Sequence, residues 1–86
     1  MILYSIKDVK AQCFGAPVPF TNDVVAKRAF CAACSNPQSV PFPADLELWR
    51  LGELDDQSGQ FTPSLAFVSV FEPIPARQAE LSPEVQ

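Results

Sequence analysis

The residues able to do chemistry in this 86-residue chain are few. Cys31-Ala-Ala-Cys34 has the spacing of a redox or zinc pair, Glu53 with Asp55-Asp56 groups three carboxylates, and Lys7, Lys10, Lys27 and Arg28 can meet phosphates. Tyr4, Phe14, Phe20 and Phe42 lie next to turns or prolines, where rings can stack on nucleobases. There is no histidine, which removes Ser-His and Cys-His pairs and His-containing zinc sites. No nucleophile elbow or phosphate-binding glycine loop is present, and only three glycines occur. The expectation is a nonenzymatic protein with no catalytic residue, no metal and no cofactor.

The cysteine pair falls in the last turn of an expected helix. That end of the helix dipole disfavours a thiolate, and a zinc site has only Cys13 left to recruit. Both cysteines therefore read as small apolar groups packed between helix and sheet. The acidic cluster lacks calcium-loop spacing and reads as a solvated hairpin turn. With three cysteines, no secretory leader expected and no apolar run of membrane-spanning length, the compartment implied is a reducing cytoplasm.

Charge is unevenly spread. The net charge is −4. Through Arg28 there are four basic and two acidic residues; from Ala29 onward, two basic against eight acidic. Any basic patch must therefore sit near the first strand and the helix. An acidic total opposes nonspecific nucleic-acid binding by a monomer but allows one local face.

The positioning elements follow from period and punctuation. Ile2 to Lys7 alternates as a strand, with Ile2, Tyr4 and Ile6 on one side. Ala11 to Phe14 is a short second strand, and Pro17 and Pro19 break regular structure after it. Thr21-Asn22-Asp23 opens a helix from Asn22 to Ser35, with Ala26, Phe30, Ala33 and Cys34 as its buried stripe. Leu46 to Leu54 is a strand with Leu46, Leu48 and Arg50 on one face and Glu47, Trp49, Leu51 and Glu53 on the other. Asp55 to Gly59 is a turn. Gln60 to Thr62 returns, Pro63-Ser64 interrupts, and Leu65 to Phe71 forms a further strand.

The fold class is α+β: an antiparallel sheet of three to five strands with one main helix on one face, which fits better than an OB-like barrel. The domain is expected over 1–72, and 73–86 as a mobile, Pro-rich C-terminal tail. Apolar groups on both faces of the late strands predict a homodimer whose interface holds Trp49, Leu51, Phe67 and Phe71.

The opening Met1-Ile-Leu-Tyr-Ser-Ile-Lys-Asp-Val-Lys-Ala, the segment Pro19-Phe-Thr-Asn-Asp with Ala29-Phe30, and the string Leu48-Trp-Arg-Leu-Gly-Glu-Leu-Asp-Asp-Gln-Ser-Gly59 carry a resemblance. They resemble the small nonstructural protein of gokushoviruses, single-stranded DNA phages of the Microviridae. The resemblance implies a protein of the infected bacterial cytoplasm that binds single-stranded viral DNA. Its role would be to help turn duplex replication toward single-strand genome synthesis and packaging. Residues for that contact are Lys7, Lys10, Lys27 and Arg28 for phosphates, and Tyr4 and Phe14 for stacking. The alternative is an adaptor that docks on the phage replication initiator, the procapsid or a host factor. No membrane partner is expected.

Overall fold

The computed structural model describes residues 1–72; the expected tail lies outside them. Strands β1 (Ile2–Asp8), β2 (Cys13–Phe14) and β3 (Val18–Phe20) precede the helix α1 (Asp23–Cys34). A 3-10 turn (Pro43–Asp45) then leads into β4 (Leu46–Leu54) and β5 (Phe61–Val70). The five strands make one antiparallel sheet. Its order is β2-β1-β4-β5, with β3 beside β2 along the same edge of β1. The expected α+β architecture, one helix on an antiparallel sheet, is the one observed.

Helix α1 starts where its cap chemistry puts it. The Asn22 side chain accepts from the Val25 N–H at 2.9 Å, and Asp23 stands in the first turn at the positive end of the dipole. Ser35 closes the other end, its hydroxyl donating to the Cys31 carbonyl. Ala26, Phe30 and Cys34 are buried against Tyr4 and Leu48, with Ile2, Ile6, Phe20, Val68 and Phe71 packed around them. The fourth member of the expected stripe, Ala33, is exposed. It lines an apolar groove of about 370 Å³ between α1 and the β3 side of the sheet, together with Gly15, Val18 and Phe20.

The prolines behave differently from their sequence expectation. Pro19 lies within β3, paired with Leu3, and Pro63 lies within β5, opposite Gly52. The expected interruption at Pro63-Ser64 is absent, and one ten-residue strand runs through it. Both strands are outermost in the sheet, so a missing N–H can face away from any partner. The register between β4 and β5 also shifts beside Pro63, which takes up the misfit.

Gly52 is required by a close approach. It has φ +154°, and a Cβ there would collide with the Thr62 carbonyl oxygen and stand 2.7 Å from the Phe61 ring. The hairpin beyond it is closed by Asp55, whose carboxylate accepts from the Gln57 and Ser58 N–H groups. Those donors hold its carboxyl below the usual carboxylate range. Gly59, at φ +81°, supplies the left-handed residue of the turn.

Candidate nucleic-acid interface

One face of the sheet is covered by α1. On the other, three strands each contribute one ring. Lys7 on β1 pairs with Phe14 on β2, Ser5 on β1 pairs with Trp49 on β4, and Trp49 pairs with Phe67 on β5. The rings form a row: Phe14 to Trp49, 6.1 Å between centroids, and Trp49 to Phe67, 5.7 Å, both edge-on. Phe14 is 41% exposed and Phe67 50%. Lys7 Nζ lies over the end of this row, 5.7 Å from the Phe14 centroid and 5.5 Å from that of Trp49. A cation held by ring faces keeps its direction while its charge stays available.

Glu47 shares the face. Its carboxylate accepts from the Trp49 indole N–H at 2.9 Å, which fixes the tilt of the indole. The centre of this surface thus holds one cation and one anion. Lys10, exposed in the turn between β1 and β2, adds a second cation at the Phe14 end; that turn is tied by Asp8, which accepts from the Lys10 and Ala11 N–H groups.

Tyr4 is a correction to the sequence reading. Stacking needs an open ring, but the residue is 1% exposed, beneath α1 and tilted against Phe20 at 5.8 Å. Its hydroxyl donates to Asp23 Oδ1 at 2.6 Å, and the other carboxylate oxygen faces Arg50 Nη1 at 3.6 Å. No ring face is left for a base. Burial first, then the Asp23 bond, push its pKa up to about 12. The alternation within β1 already held the signal. Tyr4 and Lys7 have opposite parity, so they could not serve one surface.

The four cations do not converge. Lys7 and Lys10 belong to the ring-bearing side and its rim. Lys27 and Arg28 ride on α1, across the sheet. Lys27 pairs with Glu72 at 2.8 Å, and that bond holds its ammonium pKa above the usual lysine value. Arg28 is exposed. The expected single basic corner is therefore split by the sheet itself.

The expected dimer set also divides. Trp49 and Phe67 lie in the ring row. Phe71 packs on the helix side, beside Cys34 and Val40. Leu51 is half-buried, where the registers of β4 with both neighbours shift. These four cannot form one continuous patch. The roles assigned from sequence missed Trp49 and Phe67 as parts of a surface shared with Lys7 and Phe14. Their alternation with Leu48 and Val68 was the available clue.

Cys31 and Cys34 agree with their packing role, Cys34 in the core and Cys31 against it. All three are free thiols; Cys34 is buried, Cys31 half-buried and Cys13 exposed. Burial pushes the Cys34 thiol up, the direction of an unreactive cysteine. Among the described residues, no three His, Cys, Asp or Glu side chains gather as metal ligands, and no helix is long and apolar enough to cross a membrane.

Fold and surface together define a small α+β protein whose helix-free sheet face presents an aromatic row with a lysine over it. The chain belongs to the phage ORF5 protein family, whose model matches residues 1–73. No curated protein and no solved structure matches it.

Proposed function

We propose that this phage protein is a nonenzymatic single-strand DNA-binding protein of the gokushovirus type. It works in the host cytoplasm and assists the passage from duplex replication to single-strand genome synthesis and packaging. The observation that supports this reading is the row Phe14–Trp49–Phe67 with Lys7 over two of its rings. Unpaired bases have free π-faces that rings can receive. Each base stacked on an aromatic ring gains about 1–3 kcal/mol, with little dependence on base identity. Duplex DNA hides those faces and offers mostly phosphate, for which an acidic chain with two nearby lysines is poorly equipped.

The balance of terms has a measurable consequence. With Lys7 and Lys10 as the phosphate contacts, the slope of log K against log salt should be about −1.4, from roughly −0.7 per neutralised phosphate on single strands. Binding is then governed by stacking.

Trp49 is the sole tryptophan of the chain and reports directly. Titration with an oligothymidylate should quench its fluorescence and saturate, while a duplex of equal length should not. Absence of any change with single strands at about 100 µM, where contacts worth more than roughly 5.5 kcal/mol would register, overturns the reading. That outcome favours the adaptor role, in which Glu47 and the acidic later half of the chain meet a basic protein.

A further inference from the structure

The two edges of the sheet are built differently. One is blunted: β2 and β3 are two and three residues long and are separated by a loop containing Pro17. The opposite edge is β5, ten residues long. Its outer side has no strand partner among the described residues. Phe61–Val70 contains no charged residue, and Leu65, Phe67 and Val70 are 60%, 50% and 46% exposed. Stable monomers guard a long edge with lysines, prolines, bulges or a covering element. Here the devices present are Pro63 and two register shifts against β4, between Pro63 and Ala66 and between Phe67 and Ser69. Between the shifts Ala66 and Phe67 are apolar and unguarded, and the exposed Leu65 lies beside them within the first shift.

The geometry points to antiparallel pairing of β5 with β5 of a second copy of this chain, about a two-fold axis near Phe67. Self-pairing is the occupant this edge fits. An antiparallel strand pair is its own symmetry mate, and an uncharged strand meets an identical strand without like-charge repulsion. Pro63 limits the pairing at one end and the end of the strand at Val70 limits it at the other, which places the midpoint at Phe67. Facing residues in such a pair have Cα atoms about 4.5–5.5 Å apart. The two Phe67 rings therefore meet on the helix-free face. The row Phe14–Trp49–Phe67 of one copy then continues into that of the other, with a Lys7 at each outer part. The pairing stands on the edge alone; the doubled row as a DNA platform rests on the single-strand reading.

Sedimentation equilibrium without DNA tests the pairing. The wild-type chain should shift from its 9.4 kDa monomer mass toward twice that value as its concentration rises. Leu65→Lys, exposed and outside the core, should weaken association at least about tenfold by placing two like charges at the shared edge. Hydrogen exchange supplies a check independent of any variant. Some β5 amides should gain protection with concentration, while those of β2 and β3 do not. A wild-type chain that stays monomeric at about 200 µM, or a dimer whose β5 amides exchange as fast as in the monomer, overturns the proposal. Oligothymidylate titration separates the two ideas. A dimer that leaves Trp49 unquenched retains the pairing and rejects the DNA reading, whereas quenching by a strict monomer does the reverse. If both hold, the occluded oligonucleotide length should be about twice as long for the wild type as for Leu65→Lys.

Discussion

The Tyr4 hydroxyl donates a 2.6 Å hydrogen bond to Asp23, joining the first strand to the first turn of the helix. Asp23 therefore does two jobs. It faces the positive end of the helix dipole, and it locks α1 over the strands that carry Tyr4 and Arg50. The surface on the other side is carried by the same two strands, β1 and β4, which their own antiparallel pairing aligns.

Tyr4→Phe should lower stability by about 1.5–3 kcal/mol, since the lost bond is made to a charged acceptor. Urea denaturation measures it. The same variant isolates a pH effect. The folded-state pKa near 12 lies above the ordinary value of 10.0, so the stabilisation is complete below pH 10. It is lost as pH rises from 10 through 12, by roughly 2–3 kcal/mol in all. The wild-type stability should therefore fall more steeply than that of Tyr4→Phe across this window. Parallel slopes would mean the phenol is not held as described.

Trp49→Ala and Phe67→Ala should each weaken oligothymidylate binding by roughly 5- to 150-fold, the span of one stacked base. Arg28→Glu should change affinity little, because that side chain rides on the helix side. Fluorescence anisotropy of a labelled oligonucleotide reads all three. A large loss in Arg28→Glu with none in Trp49→Ala would move the contact to the helix.

Gly52→Ala should cost about 3 kcal/mol or prevent folding, through backbone strain and collision with the Thr62 carbonyl. Gly15→Ala, whose nearest neighbour would be the Ile6 carbonyl at 3.6 Å, should be mild by comparison. Paired thermal melts separate them.

Native thiol titration should show Cys13 reacting first and Cys34 only on unfolding. Cys13→Ser should remove the fast phase. Rapid reaction of Cys34 in the folded protein would contradict its buried position and raised pKa.

Several features were legible without coordinates because their causes are local. Asn22 and Ser35 bracket the helix through groups three or four residues away, Asp55 and Gly59 close their own turn, and Leu46 to Leu54 alternates as a strand up to the register shift at Leu51. Alternation also assigned Leu48 and Trp49 to opposite faces. It could not say which face the helix would cover, since that depends on where the chain between β3 and α1 crosses the sheet. Pro63 misled for a related reason: a proline breaks an inner strand but not an outer one, and strand order is a property of the whole sheet.

The remaining decisions are non-local. Phe14, Trp49 and Phe67 lie 35 and 18 positions apart along the chain and meet only because three registers align them. Tyr4 passes from surface to core, and Lys27 gains Glu72, through contacts between distant segments. Period and capping determine what an element is, because neighbours along the chain supply the forces. Which side chains share a surface is settled by packing between elements, where the order and register of the strands choose the neighbours.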